Sequence, residues 1–130
     1  AALGAAAVAL GPGTADPYSY KALRATMGSL FKIPIFLTVN PENIVAWAEK
    51  HDLPVICADA HKGGVVWDAG LDSPFVLALG SERGGVPRRL MDAAGDVVRI
   101  PQDDATESVN VAIAGAVILY EAMKQRSGFR

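Results

Sequence analysis

The sequence predicts an α/β domain with a mostly parallel sheet flanked by helices, and three observations carry that prediction. Apolar runs of strand length recur along the chain: AAVAL at 6–10, IFLTV at 35–39, PVICA at 54–58, FVLAL at 75–79 and VVRI at 97–100. Between them lie segments with helical spacing, and that alternation is the signature of strands joined through helices. The runs are near-continuously apolar, as strands buried on both faces are. Hydrophobic residues make up 51% of the 130 residues and charged ones 20%, enough for a single domain, expected over 1–130, to bury one core.

Taken in order, Ala6–Leu10 reads as a short buried strand ending at Gly11-Pro12-Gly13. Tyr18–Phe31 has helical spacing, with Leu23, Met27, Leu30 and Phe31 on one face and Lys21, Arg24 and Lys32 elsewhere; Pro34 stops it. Ile35–Val39 is a strand, and Asn40-Pro41 opens a helix running to about Lys50. Pro54–Ala58 is the next strand, followed by a glycine turn and a further strand at Val65–Asp68. Phe75–Leu79 is a strand that empties into the loop GSERGGVP, residues 80–87; Arg88–Ala94 is a short helix and Val97–Ile100 the last strand.

The final helix, Val109–Met123, is unusual. Only Asn110 and Glu121 are strongly polar in it, so it is apolar all round and must be buried on every side or cross a membrane. A membrane span needs roughly 20 apolar residues. This run is shorter and rich in small residues (Ala112, Ala114, Gly115, Ala116), which let another backbone approach. The reading is burial, part against the chain's own sheet and part at a dimer interface, with no membrane.

A net charge of −2 and a pI near 5.6 exclude a generally basic nucleic-acid coat and leave room for a local basic patch. The single cysteine, Cys57, lies in an apolar run and reads as a buried hydrophobe in a reducing cytoplasm. His51 and His61 stand apart from other ligand-type residues and read as surface histidines; no metal site is expected. Trp47 and Trp67 read as packing residues. The opening AALGAAAVALG has no basic flank and is too short to span a bilayer. It begins without Met, and further residues are expected upstream.

Two loops carry the chemistry. Gly80-Ser81-Glu82-Arg83-Gly84-Gly85 follows a buried strand, and its glycines allow close backbone approach or positive φ. Neither the dinucleotide pattern GxGxxG nor the P-loop pattern is present, so alone it reads first as a plain turn. The second loop, Ile100–Asn110, is acidic and polar, with Glu107, Ser108 and Asn110 at the start of the last helix. Polar groups there bind a ligand or cap the helix, and the residues alone leave both readings open. Parallel sheets bind ligands beyond the carboxyl ends of their strands, where both loops lie.

Together the segments match a family. LALGSERGGVP resembles the second motif, and IPQDDATESVNVAIAGAVILYEA the third, of the SpoU-type (TrmH-like) RNA ribose 2′-O-methyltransferases of the SPOUT superfamily. DPYSYKALRATMGSLFKIPIF, residues 16–36, is similar to that family's intervening segment. The resemblance implies a C-terminal trefoil knot and a bent S-adenosylmethionine held by Leu79, Gly80, Ile100 and Val109, with Ala58 and Asp59 from the preceding strand end. It makes Glu82, Ser108 and Asn110 the catalytic polar residues, places Lys21 and Arg24 on RNA phosphates, and implies an obligate homodimer acting on rRNA or tRNA. The family's first motif, an Asn and an Arg on a helix, is expected ahead of Ala1 and is not within these residues. That absence motivates the alternative of a non-catalytic knotted protein that binds cofactor or RNA.

Overall fold

Every strand-to-strand pairing among the described residues is parallel, in a computed structural model that describes residues 1–103 and 109–128. The chain forms two compact units, Ala1–Asn40 and Pro41–Arg130.

In the first unit, β1 (Val8–Ala9) pairs with β2 (Ile35–Phe36), Val8 opposite Ile35. Flanking backbone bonds extend the contact: Val8 N–H donates to Pro34 O (3.0 Å), Leu10 N–H to Phe36 O (2.8 Å) and Val39 N–H to Leu10 O (2.9 Å). Both strands are shorter than the apolar runs that announced them; Thr38, at φ 53°, breaks the extended geometry of the second.

Helix α1 spans Tyr20–Thr26, capped by Ser19, whose Oγ accepts from Ala22 N–H at 3.3 Å. It stops well before Phe31. Met27 (φ 48°) and Gly28 (φ 81°) turn left-handed, and a single 3₁₀ turn, Ser29–Phe31, follows. The expected apolar face is therefore split: Leu30 is buried, whereas Met27 and Phe31 are 91% and 76% exposed. Gly28 supplies the helix stop that the periodicity concealed.

The second unit opens with α2, Pro41–Lys50, which has Pro41 at its first position, Glu42 in its first turn and Lys50 in its last, each suited to the helix dipole. Four strands follow: β3 (Val55–Ala58), β4 (Gly64–Val65), β5 (Val76–Ala78) and β6 (Ala94–Arg99), with the short helix α3 (Arg88–Asp92) between the last two. Their order is β4-β6-β3-β5. The strand expected at Val65–Asp68 is only the pair Gly64–Val65, and Val66–Asp68 is a 3₁₀ turn that buries Val66.

Strand β3 is central and explains why its sequence is apolar throughout. Ile56 packs on one face with Val66, Leu71, Val98, Ile118 and Ala122. Val55 and Cys57 pack on the other with Ala48 and Ala78, flanked by Leu90 and Met91. Cys57 is fully buried, as expected, and burial pushes its thiol pKa up. Facing Val55 and Ile56, β6 takes an extra residue, Gly95, in a bulge.

The last helix, α4, spans Val111–Ser127 and ends at Gly128, φ 69°. Gly115, Ile118 and Ala122 are buried. Burial on every side does not hold within the chain: Ile113 and Tyr120 are each 56% exposed, Met123 39% and Val117 38%. Its C-terminal end is pinned. Gln125 accepts from Leu71 N–H (2.8 Å) and donates to Ala69 O (3.1 Å), while Arg126 donates to Ser73 O and lies over the Phe75 ring. Trp47 and Trp67 are 50% and 56% exposed, contrary to the packing reading. Trp47 leans on the exposed His51 instead, ring centroids 4.8 Å apart.

Candidate functional site

Because β3, β5 and β6 run in parallel and in register (Cys57 opposite Ala78 and Val97), their carboxyl ends lie side by side. Ala58, Leu79 and Ile100 leave the sheet along that one edge. The loop after β3 is fastened first: Asp59 N–H donates to Val98 O at 3.0 Å. The Asp59 carboxylate accepts from the amides of His61 (2.8 Å) and Lys62 (2.9 Å). The bond from the His61 amide holds its pKa below the usual carboxylate value, and Lys62 adds to the effect. Asp59 thus spends its side chain on its own turn.

The loop after β5 folds tightly on itself. Ser81 Oγ accepts from Gly84 N–H and Ser81 O from Gly85 N–H, both at 2.9 Å. Gly80 has no room for a side chain, since a Cβ there would overlap the backbone of Gly85 and Val86. This closure lifts Glu82 and Arg83 to an exposed tip. Leu79 is 39% exposed and rests on α4 at Gly115, where a Cβ would come within 2.7 Å of Leu79 Cδ1.

At the helix start the capping reading holds for Asn110, whose amide also makes a second bond. Its Oδ1 accepts from Ala112 N–H at 2.9 Å, capping α4. Its Nδ2 donates to Glu82 Oε1 at 3.3 Å, joining the two loops. The candidates Ala58, Asp59, Leu79, Gly80, Glu82, Ile100, Val109 and Asn110 all belong to the second unit. Ser108, with Glu107, lies outside the described residues. Lys21 and Arg24 belong to the first unit, where both are exposed on α1 and the Arg24 guanidinium carbon stands 5.7 Å from the centre of the Tyr20 ring.

One residue went unnoticed in the sequence. Gln102, two positions beyond Ile100, buries its side-chain oxygen with no hydrogen-bond partner among the described residues. Such an orphan acceptor costs about 1–3 kcal/mol. Nothing in the pattern IPQDD marks it, because the sequence does not record whether a polar atom finds a partner. Among the described residues no group of three or more His, Cys, Asp or Glu is placed to hold a metal ion, and no helix is long and apolar enough to cross a membrane.

Known proteins are similar to this chain in sequence and fold. The chain is similar to the 23S rRNA (uridine(2479)-2′-O)-methyltransferase of Streptomyces viridochromogenes, at 31% identity across 96% of this chain and 45% of the relative. It is similar also to the 23S rRNA (guanosine(2553)-2′-O)-methyltransferase RlmP of Bacillus subtilis, at 32% identity across 92% of this chain and 48% of the relative. Among solved structures, the SpoU methyltransferase AviRb from Streptomyces viridochromogenes, in complex with the cofactor AdoMet, superposes with a TM-score of 0.90 at 31% identity over 98% of this chain and 52% of that one. An AdoMet-bound rRNA methyltransferase from Sinorhizobium meliloti does so with a TM-score of 0.87 at 35% identity over 99% of this chain and 48% of that one. The chain spans about half the length of the curated relatives it matches. The profile of the SpoU rRNA Methylase family matches residues 1–120, so the parallel edge, the closed glycine loop and the Asn110-capped helix are those of a member: the chain belongs to the SpoU rRNA Methylase family.

Proposed function

We propose that residues 1–130 form the methyltransferase domain of an S-adenosylmethionine-dependent RNA ribose 2′-O-methyltransferase acting on rRNA or tRNA. The observation that carries this reading is the Asn110–Glu82 hydrogen bond, 3.3 Å, which unites two sequence-distant loops at the carboxyl edge of a parallel sheet. The relatives' names and the AdoMet in two solved neighbours support it.

The residues fit such a cofactor. Leu79 offers exposed apolar surface at a strand end, and Gln102 holds a spare buried acceptor. When bound, S-adenosylmethionine supplies an electrophilic methyl group on its sulfonium. Ala58, Asp59, Leu79, Gly80, Ile100 and Val109 form its seat, largely through backbone groups. Glu82, Ser108 and Asn110 serve the reacting end. Asn110 is locked by its cap and in turn fixes one oxygen of Glu82, giving a carboxylate of set direction to orient the ribose hydroxyl. Positioning is the chief task, since a reacting oxygen held about 3–3.5 Å away and in line gains most of the available advantage. Lys21 and Arg24, one helical turn apart on α1, bind RNA phosphates.

The reading extends to a C-terminal trefoil knot, a cytoplasmic location and a homodimer. Ile113, Val117, Tyr120 and Met123 recur at three- and four-residue spacing on α4 and are all exposed, and a second copy of the chain covers them. The test uses the full-length protein with radiolabelled cofactor and purified rRNA or tRNA. Label appearing as 2′-O-methylribose supports the reading, and its loss in Glu82→Ala and Asn110→Ala assigns those residues. Cofactor binding without transfer by the wild type would instead mean a binding protein.

A further inference from the structure

Gln102 stands apart from every other polar side chain described. Other polar side chains at the strand ends and the start of α4 are engaged: Asp59 with two amides, Asn110 with Ala112 and Glu82, and Arg99 Nε with Gly63 O. The Gln102 oxygen, by contrast with those exposed groups, is withdrawn from water and has no partner among the described residues. It follows Ile100 and Pro101 at the carboxyl end of β6, the edge from which the candidate cofactor residues emerge. A buried acceptor left open at a ligand edge is complementary to a ligand donor.

We infer that the side-chain oxygen of Gln102 accepts a hydrogen bond from the 6-amino group of the cofactor's adenine, making Gln102 a specificity-determining residue; this rests on the S-adenosylmethionine reading. The cofactor carries two N–H donors, the adenine amino group and the α-ammonium. The neutral amine suits the site better. Gln102 follows apolar Ile100 and Pro101 and offers a neutral oxygen, whereas an ammonium taken from water requires a charged partner to offset its desolvation. An adenine amine needs only the one acceptor that is open. A site built to bond an N–H discriminates against an analogue that replaces it with an oxygen, because two acceptors then face each other.

The experiment titrates full-length wild type, Gln102→Met and Gln102→Asn by calorimetry with S-adenosylhomocysteine, with S-inosylhomocysteine (an oxo group replaces the 6-amino group) and with 5′-methylthioadenosine, which lacks the amino acid. Wild type should prefer S-adenosylhomocysteine over S-inosylhomocysteine by about 10-fold or more. Gln102→Met should bind the two within about 2-fold of each other, and Gln102→Asn, with its oxygen drawn back by one methylene, should also lose most of the preference. Affinity for 5′-methylthioadenosine should fall in both variants. Ligand-free Gln102→Met should melt no lower than wild type, since an apolar chain of similar shape removes an unpaired buried acceptor. Full discrimination retained in Gln102→Met would overturn the inference. So would equal weakening of all three ligands together with a lower melting point, which marks a packing role, and so would 5′-methylthioadenosine binding that ignores the substitutions, which points to the ammonium. Wild type that binds none of the three would overturn the cofactor reading itself.

Discussion

Asn110 carries two hydrogen bonds of different character on one side chain, and substitution can separate them. Asn110→Asp keeps an oxygen for Ala112 N–H and puts a negative charge at the helix N-terminus, where the dipole favours it. It also removes the donor to Glu82 and sets two carboxylates against each other. Melting should move by only a few degrees while methyl transfer falls about 10²-fold or more if the pair orients the nucleophile; thermal melts and label incorporation measure the two effects. Gly115 offers a second separation. Gly115→Ala favours helix by up to about 1 kcal/mol, but its methyl would press on the tip of Leu79 and move it. Stability should change little, and affinity for S-adenosylhomocysteine should fall several-fold by calorimetry. Leu79 and Gly80 were legible in the sequence because a strand end and glycines have a spelling. The Leu79–Gly115 contact was not, because it joins residues far apart in the chain.

Asp59 makes a pH prediction at the same scale. Its folded pKa is depressed, so the stability it contributes is fully present above the unfolded value, about 3.9, and is lost as pH falls below that value through the folded one. Amides of His61 and Lys62 should therefore keep their exchange protection through the unfolded carboxylate value of about 3.9 and lose it only as pH falls further, through the depressed folded value; loss at or above the unfolded value would contradict the assignment. Glu121, lowered first by Lys124 and then by Gln125, titrates in the same sense.

Among the elements, β3 and α4 show what patterning can and cannot convey. A run such as VICA is buried on both faces and has one reading, so β3 was found within a residue of its bounds. Helix α4 was found as a helix, yet its start, its end beyond Met123 and its exposed stripe depend on caps and neighbours. Helix α1 shows the opposite failure, since periodicity ran on through Met27 and Gly28, where the backbone turns left-handed. Gly63 tests an element directly. At φ 88°, with Val97 backbone where a Cβ would sit, it fixes the approach of β4 to β6. Gly63→Ala should cost more than about 1 kcal/mol in urea unfolding, with lost exchange protection concentrated at the Gly64–Val98 and Val65–Arg99 pairings.

For the whole molecule, the exposed stripe on α4 sets the expected assembly. Val117→Glu places a charge in the middle of the proposed dimer contact while leaving the buried Gly115–Ile118–Ala122 face intact. Sedimentation at micromolar concentration should show a dimer for wild type and a folded monomer for the variant. A wild-type monomer under those conditions would remove the dimer from the proposal. The alternation of strands and helices made the parallel architecture legible; the division into Ala1–Asn40 and Pro41–Arg130 was not, since no linker marks it.

The strand order β4-β6-β3-β5 also has a consequence for synthesis. The ribosome delivers β3 before either of its partners and β4 before its only one, β6, so no pairing in this sheet can close between successive strands. Parallel pairing of distant segments is slow, and waiting strands are apolar and open to other chains. Nascent chains arrested before Ala94 emerges should be protease-sensitive throughout Pro41–Asp92, and resistance should arise in one step once β6 can insert between β3 and β4. Yield during expression is therefore governed by how quickly the last strand arrives, and a slow stretch of codons just ahead of it would be more harmful than one placed after it.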